Sequence, residues 1–497
     1  MAQVEEAADK RQKMTVTTAK KFALDIGWVF ISQIITFVTG FFLSVILGKF
    51  LGAAPFGLYS MTLTIYAIVA LVGGIGIPTA IVKYVAESKQ DKDKLNIFVS
   101  CGIINSLVFG VITGLVLFAI SGMFASIFNM PELTDLIKII AFSLPFLAVN
   151  NALLGVLNGL REMKLYSFRT IVRSILLLGF TTLLVGIGFG VKGAVFSLLL
   201  SEIGTLFLLI LYSKDFFKFI IKDYFENTKE MLKFGSQLFI ASAVWMVNTN
   251  VDKLLVGYFL LAKDVGIYTI ALAISSGLLM IPGAISTVTF PAISEYNFKG
   301  QHDAIEMLIN RSMKYSLVIL SILGICIIFF SEDIILLGLR PEFLPAVTPM
   351  TILVLAIIFF GSVASVGAAF SALGRPDIQV KQNAPLVIVN VIIDIILIPV
   401  LGIIGAAIGT ATSFLSLIIM EFYFYNKLNI KINYRIFIKI FIFIVPIIVL
   451  FYVFRQQINI YLLIFILVGL YAILITKFIL TKEDLNEVIK SIGIRPN

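Results

Sequence analysis

Asn248, Asn250, Asp252 and Lys253 fall within six positions in the stretch MVNTNVDKLLVG, residues 246–257. They interrupt an apolar run from Phe234 to Phe259 that is long enough to cross a bilayer. A charge at the centre of a membrane helix costs about 2.5–3.5 kcal/mol on insertion scales, so such residues are seldom idle. At helical spacing, Gln237, Ala241, Asn248 and Asp252 share one face, a small and polar stripe, while Lys253 points away from it. The stripe suits a water-filled path, with Asp252 contacting substrate or a coupling ion. Asn248 and Asn250 equally suit bonding to neighbouring helices, and Lys253 is near enough to a helix end to snorkel to the interface.

Three further charges lie inside apolar runs. Glu202 is the deepest, and Arg173 in the preceding run has the reach to pair with it. A buried ion pair and a carboxyl that cycles its proton are both open for Glu202. Asp394 has the same two readings, whereas Asp25 and Glu421, near helix ends, are expected at the interface. In NNALLGVLNGL, the amides of Asn150, Asn151 and Asn158 suit close helix packing or a sugar path. Cys101 and Cys326 stand in separate runs and His302 is the only histidine, so neither a disulfide framework nor a metal or other cofactor is expected.

The elements that position these residues are membrane helices. The chain is 59% hydrophobic and 13% charged, with a mean hydropathy of +1.04, too apolar for a soluble domain of 497 residues. Its apolar blocks match the helix length that spans roughly 30 Å of hydrocarbon, and they are continuous rather than alternating, which excludes a barrel. The expected fold is an all-α membrane protein of about fourteen spans: 26–48, 55–80, 97–120, 136–160, 168–189, 191–213, 234–259, 264–289, 312–335, 346–373, 378–400, 402–426, 436–454 and 459–479. Residues 1–21 are polar and lack a signal peptide's apolar core, so the first span is expected to be retained. Pro78, Pro145, Pro282 and Pro399, and the GGIGIP run at 73–78, are candidate points of bending.

Charge sets the orientation. Of the 38 basic residues, 31 collect in alternate connections and both terminal segments. The basic side is therefore cytoplasmic, with both termini inside a cell membrane. Basic charge dispersed over many loops fits anionic headgroups and argues against a nucleic-acid partner.

The two halves repeat. GKFLGAAPFGLYSMTLTI at 48–65 matches GYFLLAKDVGIYTIALAI at 257–274, and GVKGA at 190–194 matches GIIGA at 402–406, at intervals of 209 and 212. GLR at 159–161 echoes LGR at 373–375. An interval holding six spans implies two parallel six-helix lobes related by an axis along the membrane normal. The expected domains are a polar N-terminal segment (1–21), an N-lobe (22–213), a cytoplasmic linker (214–233), a C-lobe (234–426), an appended helix pair (427–480) and a cytoplasmic tail (481–497).

LGAAPFGLYS after the first span, its echo FLLAKDVGIYT, and the approach NTNVDKLLVG resemble the polysaccharide-exporter-type flippases of the multidrug/oligosaccharidyl-lipid/polysaccharide exporter superfamily. The resemblance implies translocation of a polyprenyl-linked oligosaccharide to the outer leaflet by alternating access. Its partners would be that lipid-linked glycan, membrane lipids and, where transport is coupled, H+ or Na+. Such a cargo needs cations for its phosphates, amides or hydroxyls for its sugars and a lipid-facing opening for its tail. A drug/cation antiporter of the same superfamily is the alternative, though twelve spans would suffice for it. A membrane glycan polymerase or glycosyltransferase is a third reading, disfavoured by the repeat and by the lack of a loop bearing paired acids. Candidate path residues are Asp252, Lys253, Asn248, Gln237, Glu202, Arg173, Asp394 and Asn151.

Overall fold

The computed structural model describes residues 2–213, 216–481 and 484, and every regular element among them is helical. In lipid a helix satisfies its own backbone donors and acceptors, which is why a chain this apolar takes no open strand. Two compact units divide the chain, Met1–Gly266 and Ile267–Asn497.

The first unit contains α1 (Ala2–Leu51), α2 (Ala53–Gly74), α3 (Ile77–Glu87), α4 (Lys92–Ala119), α5 (Ser121–Ile127), α6 (Leu133–Ala141), α7 (Leu144–Leu160), α8 (Met163–Gly186), α9 (Gly190–Ser213) and α10 (Tyr224–Phe259). The GGIGIP run breaks the second expected span: Ile75 and Gly76 take φ of 39° and 71°, and Pro78 opens the first turn of α3. The fourth expected span is likewise two helices, α6 and α7, bent by 46° just before Pro145. Part of the linker between the expected lobes is tied to α4. The Lys218 N–H donates to Asn96 Oδ1 at 2.8 Å, the Ile220 N–H to Ser100 Oγ at 2.9 Å, and Tyr224 Oη to Asn105 Oδ1 at 2.5 Å.

The repeat assigns α10 to the second lobe, yet α10 packs within the first unit on α2, α3 and α4. The cause is close glycine packing. Gly235 meets Gly76 backbone to backbone, leaving no room for a Cβ on either, and Gly257 lies against Met61. Met231 is fully buried with Ile77, Ile81 and Val85. The boundary between the compact units falls at 266/267.

α11 (Ala262–Ser276) crosses that boundary and leads through a 3-10 turn, Gly277–Leu279, to α12 (Met280–Phe298). Then come α13 (His302–Phe329), α14 (Ser331–Gly338), α15 (Val347–Ala364), α16 (Ala369–Ala372), α17 (Pro376–Leu401), α18 (Ile403–Lys427), α19 (Arg435–Phe454) and α20 (Ile460–Phe478). The repeat is visible in this order. Helices start at 53 and 262, 92 and 302, 163 and 376, and 190 and 403. The GLR and LGR echo marks the left-handed residue that ends a helix, Arg161 at φ 62° and Gly374 at φ 76°. The cores recur as well: Leu95, Val99 and Leu157 in one cluster correspond to Ile305, Ile309 and Phe370 in the other.

Among the described residues, twelve helical segments are long and apolar enough to cross a membrane, and the bent α6–α7 pair makes up to thirteen. The remaining expected span lies within α10, where Asn248, Asn250, Asp252 and Lys253 dilute the apolar run. The expected appended pair is α19 and α20, which pack on each other and on α13. Asp484 follows them, buried against α13. Lys314 Nζ approaches its carboxylate at 2.6 Å, Tyr315 Oη donates to it at 2.7 Å, and so does Thr481 Oγ1 at 2.7 Å. The rest of the 481–497 tail lies outside the described residues, apart from Thr481.

Candidate functional site

Glu202 on α9 is fully buried and stands at the centre of a polar cluster in the first unit. Arg173 Nε on α8 donates to Glu202 Oε1 at 2.5 Å, so the expected pair forms. Arg169, one turn earlier on α8, places Nη2 at 3.4 Å from Oε2. Asn150 on α7 donates to the same Oε2 at 2.7 Å and to the Glu202 carbonyl at 3.0 Å. Two guanidinium groups thus share one carboxylate, leaving one formal positive charge in surplus. The Arg169 side chain is 8% exposed and that of Arg173 26%. Arg173 is the member open to a visiting group, while the Arg169 Nε–H finds no acceptor among the described residues. A buried surplus cation is costly without an anion.

Of the stripe residues, Gln237 is exposed and Asp252 buried, while the side chains of Ala241 and Asn248 lie outside the described residues; Lys253, off the stripe, is half-buried. The Asn250 amide donates to the Met246 carbonyl at 3.0 Å within α10. Asn151 is half-buried and lines a small crevice with Gly73, Gly74, Pro78 and Ser106.

In the second unit, Asp394 on α17 is fully buried against α18, where a Cβ on Gly409 would collide with its Oδ1. Asn390, one turn earlier, and Thr410, next to Gly409, are also buried. Glu421 departs from expectation. It is buried rather than interfacial, because Gln382 Nε2 reaches across from α17 and donates to Oε2 at 2.6 Å. Sequence reading missed Arg169 and Gln382. The first carried a signal, since a residue four before Arg173 shares its helix face.

An apolar groove of about 500 Å3 runs between α15, α18 and α19, lined by residues that include Phe359, Leu415, Phe422, Phe437, Phe441 and Val445. Leu415, Ile438, Phe441 and Val445 remain exposed, so the groove opens on the lipid-facing surface. α19 of the appended pair builds one wall.

The arrangement is a helical membrane-protein fold known from solved structures. The chain aligns with the lipid II flippase MurJ in an inward closed conformation at TM-score 0.76, covering 93% of this chain and 99% of that one at 16% identity. It also aligns with an inward-facing multidrug resistance MATE transporter of the MOP superfamily at TM-score 0.61, over 79% and 94% of the two chains at 17% identity. Residues 22–297 match the model of the polysaccharide biosynthesis protein family, and the chain belongs to that family. It is 24% identical over 366 residues to the probable low-salt glycan biosynthesis flippase Agl15 of Haloferax volcanii, covering 73% of this chain and 75% of that protein.

Proposed function

We propose that this protein moves a polyprenyl-linked oligosaccharide from the cytoplasmic to the outer leaflet by alternating access, without covalent change to the cargo. The groove carries this reading. It is apolar, opens to lipid and is walled by a helix outside the repeat, an arrangement that suits an isoprenoid tail and has no use for a water-soluble cargo. The surplus charge of Arg169 and Arg173 suits the phosphate, and the polar stripe of α10 suits the sugars. Family membership and the flippase names borne by Agl15 and MurJ support the same reading.

Asp252 supplies a charge needed in the cycle, and Asp394 is where a coupling H+ or Na+ would act. Each charge moved through a membrane potential is worth about 2.3 kcal/mol per 100 mV. With basic loops inside, both termini are cytoplasmic. The MATE likeness favours the antiporter alternative, but Glu202 is already held by two arginines and offers an organic cation little. Reconstitution into vesicles with polyprenyl-linked oligosaccharides, scoring leaflet exchange with and without H+ or Na+ gradients, tests the proposal. Exchange of lipid-linked sugar supports it. Uptake of organic cations with no exchange of lipid-linked sugar overturns it.

A further inference from the structure

The blocks that carry the repeat, Ala53–Ser60 and Ala262–Thr269, hold glycine at matching places, Gly57 and Gly266. In the structure these two glycines meet. The Cα of Gly57 lies against the carbonyl oxygen of Ala262, and the Cα of Gly266 lies against the carbonyl oxygen of Ala53. A Cβ on Gly57 would also come within 2.9 Å of the Gly266 nitrogen, and one on Gly266 within 3.0 Å of the Gly57 nitrogen. The contact is reciprocal: residues 53 and 57 touch 266 and 262, each pair being the repeat image of the other. This is the self-complementary geometry of a two-fold interface, formed here between two segments of one chain. The Gly76–Gly235 contact lacks that property, because its members are not repeat counterparts.

We infer that the Gly57–Gly266 contact seals the outer end of the translocation path and parts when cargo leaves. Both blocks begin helices just after connections placed on the outer side by the charge pattern, so this inference rests on the proposed orientation and alternating access. Small residues spaced by four let two helix backbones approach closely, and the opposed Cα–H and carbonyl groups add weak attraction. The central contact is backbone on backbone. A seal of this kind excludes solvent when shut. Because it lies on a local two-fold, one rotation of the two helix starts against each other releases both sides together. It also gives a reason for the glycines of the two G-[LI]-Y-[ST] blocks.

The test uses full-length protein with Cys101 and Cys326 replaced by alanine and a reporter cysteine at Ser60, a buried residue one turn inside the contact. With both glycines present, a membrane-impermeant thiol reagent applied to intact cells should label the reporter slowly. Gly57→Ala and Gly266→Ala should each speed labelling by about tenfold, and the double variant no further than either, since they disrupt one shared contact. Unchanged labelling in folded protein, or a response to only one glycine, would overturn the seal. Where the alanine variants fail to fold, cysteines at exposed Ala54 and Lys263 can be joined by a cleavable bis-thiol linker. Tethering should stop leaflet exchange and cleavage restore it; exchange through the tethered protein would overturn the seal. The labelling arm needs no substrate, so a protein that passes it yet flips no lipid-linked sugar would indict the cargo and not the seal.

Discussion

Arg169, Arg173 and Glu202 form a unit whose members cannot be removed singly without consequence. Taking away Glu202 leaves two buried guanidiniums facing each other, a loss of about 3–5 kcal/mol for a broken buried pair. Glu202→Gln should therefore lower the yield and unfolding midpoint of purified protein. Pairing it with Arg169→Met should recover much of the loss, a non-additivity read from a double-mutant cycle. Asp252 calls for the opposite pattern. Asp252→Asn keeps size and hydrogen bonding, so folded protein should stay near normal while exchange in vesicles falls sharply. Loss of both together would recast Asp252 as structural. Lys253→Met is the companion, and transport should persist if Lys253 only snorkels. The Arg173–Glu202 pairing was legible in sequence, because a long side chain facing a deep carboxylate has few alternatives. Arg169 was marked only by sharing the helix face of Arg173, and Gln382 was not marked at all, since its partner comes from a helix whose packing the sequence does not disclose.

The helices themselves were nearly all legible, because lipid forces long apolar runs to be helical. Breaks were legible where chemistry marks them, as at Gly76 and Pro78 and before Pro145. The placement of α10 was not. Its repeat position argued for the second lobe, and its close contacts at Gly235 and Gly257 are a matter of shape that hydropathy cannot register. At the far end of the chain, Asp484 fastens the segment after α20 to α13. Burial pushes its carboxyl up, but Lys314, Thr481 and Tyr315 outweigh that and hold it well below the usual carboxylate range. A depressed folded pKa gives stability that is present above the unfolded value of about 3.9 and is lost as pH falls through the folded one. Asp484→Asn should thus cost about 1–3 kcal/mol, by the same amount at about pH 6 and pH 8, in thermal unfolding of the detergent-solubilised protein. A penalty that vanished at the lower of these would count against the ion pair.

Across the whole molecule, the charge pattern makes a prediction independent of any cargo. Single cysteines at Ala2 and at exposed Lys427 should resist an impermeant reagent in intact cells, while one at Ala54 should react. Labelling at either of the first two would invert the proposed direction of transport. The groove between α15, α18 and α19 bears on which cargo is accepted. Its outer residues face the bilayer, so on the proposed cargo it would grip only a short stretch of an isoprenoid and leave the remainder in lipid. Extra isoprene units would then pass from one hydrocarbon setting to another and add nothing to affinity. Carriers of different length would become interchangeable, and selectivity would fall to the phosphate and the sugars next to it.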